Sequence, residues 1–91
     1  MNVNIIGSRM THTKENGYVG HVEFQYEGHE APYEITLHSK NAKDWSYSLI
    51  FSKESGSEED ILAVEERLEE DDDFYDLLVN AALQSLPRQE G

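Results

Sequence analysis

Cysteine is missing from this chain, and that removes disulfides, thiolate zinc sites and cysteine nucleophiles together. Basic residues are scarce: seven Lys and Arg stand against nineteen Asp and Glu, a formal charge of −12. Counterion-release binding to nucleic acid needs Lys and Arg gathered on one face, so direct nucleic-acid binding is not expected, nor is binding to an anionic membrane surface. No apolar run approaches the roughly twenty residues of a membrane span. The opening MNVNIIGSRM lacks the basic region and apolar core of a signal peptide, and a cytoplasmic location is the expectation. Also absent are a Gly-x-Ser-x-Gly elbow, a phosphate-cradling Gly-rich loop and a His-Glu-x-x-His helix. With no nucleophile–base or acid–base pair standing out, no catalytic residue and no cofactor are assigned, and an enzyme is not expected. No motif points to a family.

What is present is unevenly spread. Glu54 to Gly91 holds thirteen acids against Arg67 and Arg88, a balance of −11, whereas Met1 to Lys53 holds six acids against five bases, a balance of −1. The 91 residues suffice for one modest core, so one domain over 1–91 is expected: a β part over 1–53, a helical part over 57–86 and a short tail over 87–91.

Four strands are legible in the first part. Asn2 to Met10 carries Val3 and Ile5 on one parity and Ile6 and Met10 on the other, and Gly7 marks a bulge that would switch the face. Asn16-Gly17 is a hairpin signal, because both residues tolerate positive φ. Tyr18 to Glu27 alternates strictly, with Tyr18, Gly20, Val22, Phe24 and Tyr26 on one side. A two-residue turn at Gly28-His29 then places Tyr26 opposite Ala31, Phe24 opposite Tyr33 and Val22 opposite Ile35. Pro32 has no N–H for a ladder and calls for an outward position or a bulge. A loop over Lys40 to Asp44 leads into Trp45 to Phe51, with Leu37 opposite Tyr47 and Ile35 opposite Leu49. Each hairpin keeps its apolar residues on one face, so the strands form an antiparallel meander with an aromatic side that needs a cover.

The helical part supplies it. Ser57-Glu58-Glu59-Asp60 resembles a capping box, followed by a stripe of Ile61, Val64 and Leu68 with Leu62 beside them. The Asp71-Asp72-Asp73 run interrupts this pattern and suits a second N-cap better than a calcium loop, which needs spaced ligands and a turn glycine. One continuous helix over Ser57 to Leu86 is the alternative. The second helix, from Phe74 to Leu86, is apolar around most of its circumference, so it is either the most buried helix or a contact surface. Pro87 ends it. The expected fold is therefore α+β, ββββαα, with two C-terminal α-helices on the aromatic face of a four-stranded meander.

Three functional readings follow. The first is a non-enzymatic interaction or regulatory module that meets a basic protein partner, or a second copy of itself in a homodimer. Its contact residues would be Glu65, Glu66, Glu69, Glu70, Phe74 and Tyr75. The second is an acidic nucleic-acid mimic that occupies a DNA-binding protein's basic site. The third is a small-ligand or metal-binding protein. Its metal version draws on His21, Glu23, Glu34 and His38 with Thr36 on the polar sheet face, two imidazoles and two carboxylates that zinc accepts. Its ligand version uses a pocket lined by Tyr18, Phe24, Tyr26, Tyr33, Trp45, Tyr47 and Phe51. The plain alternatives are solvated sheet residues and core packing. His12 and His29 are assigned no role.

Overall fold

The computed structural model describes residues 3–86. The expected start at Asn2, the stop at Pro87 and the tail beyond it lie outside these residues. The elements are β1 (Val3–Thr13), β2 (Gly17–Tyr26), β3 (Tyr33–Ser39), β4 (Ser46–Phe51), α1 (Glu58–Glu70) and α2 (Asp72–Gln84). The strands form one antiparallel sheet in the order β1-β2-β3-β4, as the alternation requires.

The register agrees with the matching of apolar faces. Phe24 pairs with Tyr33 and Val22 with Ile35, while Ile35 pairs with Leu49 and Leu37 with Tyr47. In β1 the register shifts between Ile5 and Gly7, so Ile5 meets Phe24, Gly7 meets Glu23 and Ile6 is the extra residue of a bulge. The shift puts Val3 and Ile5 before it, and Met10 after it, on the covered side, while Ile6 turns outward at 50 % exposure.

The turns differ from expectation in detail. The β1–β2 connection is a three-residue loop, Lys14 to Asn16, and only Gly17 takes positive φ (74°). A side chain at Gly17 would also meet the Ser39 carbonyl oxygen at 2.6 Å, so conformation and space both select glycine. The β2–β3 connection is longer than two residues. The His29 N–H donates to the Tyr26 carbonyl at 3.0 Å with Gly28 at φ 84°, and Glu30 to Pro32 run on before β3 begins. Pairing of Tyr26 with Ala31 therefore does not occur. Pro32 lies just outside β3, where its missing N–H breaks no ladder bond. Trp45 likewise belongs to the β3–β4 loop.

Both helix starts are capped by the expected side chains. Ser57 accepts the Asp60 N–H at 3.4 Å, and Asp71 Oδ1 accepts the Phe74 N–H at 3.2 Å. Asp71 alone separates the helices, and its extended backbone (φ −114°, ψ 96°) sets their corner. The one-helix alternative is thereby overturned. α1 packs on β4, and α2 packs on β1 and β2. The core lies between these layers and includes Val22, Phe24, Tyr33, Ile35 and Leu37 from the sheet, with Val64, Leu68, Phe74 and Leu78 from the helices. Each large apolar side chain so buried contributes about 1.5–3 kcal/mol. α2 is the more buried helix, but Leu77 is 41 % exposed, and on α1 Leu62 is 59 % exposed, off the stripe it was expected to join.

Candidate interaction surface

The corner between the helices is built around Arg67, the only Lys or Arg between Glu54 and Leu86. Its Nε donates to Asp71 Oδ2 at 2.9 Å, its Nη1 donates to the Tyr26 hydroxyl at 2.8 Å, and its guanidinium lies 6.0 Å from the centre of the Phe74 ring. The Arg67 bond, followed by the Phe74 N–H, holds the Asp71 carboxyl below its ordinary 3.8. The same bond to Asp71 raises Arg67. The cation is thus turned toward the sheet.

The other charges of this corner face water. Glu66, Glu69, Glu70, Asp72 and Asp73 are exposed, and Glu65 is half-buried. Glu70, Asp71, Asp72 and Asp73 line an open hollow of about 540 Å³ with Arg67 on its wall. Burial raises the Tyr47 phenol, and the charges of Glu69 and Glu65 raise it further. Of the expected contact residues, Phe74 is fully buried against Phe24 and Tyr26, with ring centres 6.0 and 5.8 Å away. It therefore belongs to the core and not to a contact surface, because capping by Asp71 starts α2 with this side facing the sheet. Tyr75 is half-buried, with its ring 5.8 Å from Tyr47.

The polar sheet face has the predicted register but disperses its candidates. His21 Nδ1 lies 3.2 Å from Thr36 Oγ1 and 3.6 Å from Glu34 Oε2. Glu23 instead accepts the Ser52 hydroxyl at 2.9 Å, and His38 Nε2 lies 2.8 Å from the Asn16 carbonyl, for which it is the donor. Among the described residues no three His, Asp or Glu side chains are grouped to hold a metal ion.

The aromatic row is packed on itself. Tyr33 stacks on Phe51 at 5.4 Å, Phe24 lies 5.6 Å from Tyr33, and Tyr18 lies 6.2 Å from Trp45. All seven residues of the row sit on or beside the covered side, which leaves the open sheet face, among the described residues, without a stacking platform. A cleft of about 620 Å³ opens at the end of the sheet, lined by Ala31, Pro32, Lys53, Glu54, Gly56 and Asp60 among others.

His29, given no role from sequence, lies behind this cleft. Its Nδ1 is 2.7 Å from the Tyr33 hydroxyl, its Nε2 is 3.8 Å from Asp60 Oδ1, and its ring lies 4.8 Å from Tyr26. The contacts Tyr33–His29–Asp60 thus run from β3 through the β2–β3 loop to the first turn of α1. Tyr33 is four residues from His29, a visible spacing, but nothing local points to Asp60. His12 packs against the Tyr18 ring at 4.3 Å.

The fold and this surface define an α+β protein with one open sheet face, one covered face and an acidic helical corner. Compared with protein-family models, curated proteins and solved structures, the chain has no match. No helix among the described residues is long and apolar enough to cross a membrane.

Proposed function

We propose that the protein is a non-enzymatic interaction module, working in the cytoplasm, that offers the outer side of its helical corner to a basic protein surface. One observation carries this reading: the sole cation of the helices is bonded to Asp71 and Tyr26, so Glu66, Glu69, Glu70, Asp72 and Asp73 face water without an ion pair among the described residues. Such a field speeds and orients encounter with a positive surface. The nucleic-acid mimic is a special case of the same reading, since its target is also a basic site.

The test separates a face from mere net charge. Glu66, Glu69 and Glu70 are changed to Lys in one variant, and the exposed Glu15, Glu30 and Glu54 in another of equal net charge. Binding to a lysine-rich synthetic peptide is followed by fluorescence anisotropy. The helix variant is expected to lose at least tenfold in affinity and the control less than threefold. Equal losses in both would leave net charge as the whole effect and remove the proposed face.

A further inference from the structure

We propose that the free edge of β4 receives an extended, lysine- or arginine-rich segment of the protein partner as a fifth strand. The inference rests on the basic-partner reading and specifies how that partner binds.

The first support is the direction of the main chain. The Ser52 N–H donates to the Pro32 carbonyl at 3.1 Å, so Ser52 points its backbone toward β3. The pairing of β4 with β3 continues unbroken from there, Ile50 with Glu34 and Ser48 with Thr36. In an antiparallel ladder alternate residues point their N–H and C=O to opposite sides. Ile50, Ser48 and Ser46 therefore bond inward, and Tyr47, Leu49 and Phe51 present three N–H and three C=O groups at the free edge.

The second support is the edge itself. Natural sheets blunt exposed edges with proline, charge or a bulge. Ser46–Phe51 contains none of these, and Ile50 on it is 52 % exposed. The opposite edge, β1, has the bulge at Ile6 and a charge at Arg9. Only one of the two edges is left open to pairing.

Charge selects the occupant. α1, which carries Glu65 and Glu69, packs against β4. The flanking Lys43, Asp44, Lys53 and Glu54 cancel one another. A second copy docked on this edge would set one acidic α1 near another, each in a chain of net charge −12. A strand with a basic residue at every second position sets its charges on the side of α1, and its other side chains beside Ser46, Ser48 and Ile50. Backbone bonds supply affinity and the alternate side chains supply selectivity, as in other strand additions.

The test uses the full chain and two capped decapeptides of equal charge, both alternating lysine with valine, one of them N-methylated on the backbone of every lysine. The lysines, opposite Tyr47, Leu49 and Phe51, are the residues whose N–H faces β4, so methylation removes the donors of the added ladder. Affinity is measured by anisotropy and amide exchange by NMR. The unmethylated peptide is expected to bind at least tenfold tighter and to slow exchange at Tyr47, Leu49 and Phe51 at least tenfold. Equal binding without protection of these amides overturns the strand addition and leaves the basic-partner reading standing. Failure of both peptides to bind at low salt overturns both. Protection that rises with protein concentration in the absence of peptide assigns the edge to a second copy and overturns the proposal.

Discussion

Tyr33 has its ring wholly within the core and its hydroxyl on His29. Burial, with Asp60 and Tyr26 adding to it, pushes its phenol from 10.0 up to about 12. A phenol that ionises later in the folded than in the unfolded chain stabilises the fold fully below pH 10.0 and loses that contribution as pH rises toward 12. Phenolate absorbance of the native protein should therefore show a component that ionises near pH 12, absent in Tyr33→Phe, which should also cost about 1 kcal/mol of stability at neutral pH. Asp71 behaves in the opposite sense. Its lowered carboxyl stabilises the fold above the ordinary value of 3.8, and that contribution fades as pH falls through the lowered one. Asp71→Asn keeps a capping side chain but loses the ion pair with Arg67. It should melt below the parent at neutral pH and converge with it in acid, a comparison that thermal melts across the acid range provide. The cap at Asp71 was legible in the sequence because the poor helix former and the apolar run that follows it are neighbours. The inward turn of Arg67 was not, since Tyr26 lies 41 residues away.

The sheet and helix layers fit closely at Gly20, where α2 crosses β2. A side-chain carbon there would lie 2.8 Å from the Met10 methyl and 3.1 Å from the Ala82 methyl. The Met10 tip can move, but Ala82 is fixed in the helix. Gly20→Val is expected to destabilise by about 1–3 kcal/mol through overpacking. Gly7 has no neighbour within 4 Å of the same position, and Gly7→Val should change stability by less than about 0.5 kcal/mol. Urea denaturation of the two variants checks the contrast. From sequence Gly7 reads as a bulge and Gly20 as one position of an apolar face, but neither pattern shows how close the helix comes. The strand registers were legible because a slip of one residue would turn Phe24, Tyr33, Ile35 and Leu49 to the wrong face. The length of the β2–β3 loop was not, because Gly28-His29 satisfies a two-residue turn equally well on paper. In the longer loop the His29 N–H donates to the Tyr26 carbonyl, and the Gln25 amide nitrogen donates to the His29 carbonyl at 2.6 Å.

Charge acts on the molecule as a whole. Nearly all of the −12 lies in the helical part, and its exposed carboxylates repel one another. Salt screens such repulsion, with a Debye length near 10 Å at about 0.1 M. The melting temperature at pH 7 should rise as sodium chloride is added. Replacing Glu66, Glu69 and Glu70 together by Gln should raise the starting value and flatten the dependence on salt, as scanning calorimetry would record. A melting temperature independent of salt would mean that the charges are already compensated, and it would weaken the proposed acidic face as well.

The sequence by itself determined the four strands, the registers of β2 with β3 and of β3 with β4, a bulge next to Gly7 and the two capped helices. Each is written in the spacing of nearby residues: a period of two, a period near 3.6, or a cap beside its helix. Only the tertiary structure decided that Arg67 turns inward, that His29 joins Tyr33 to Asp60, that Phe74 is core, and that β4 is an open edge packed against α1. These depend on how two layers meet across many residues of chain, where packing of the apolar faces fixes polar neighbours that no local pattern specifies.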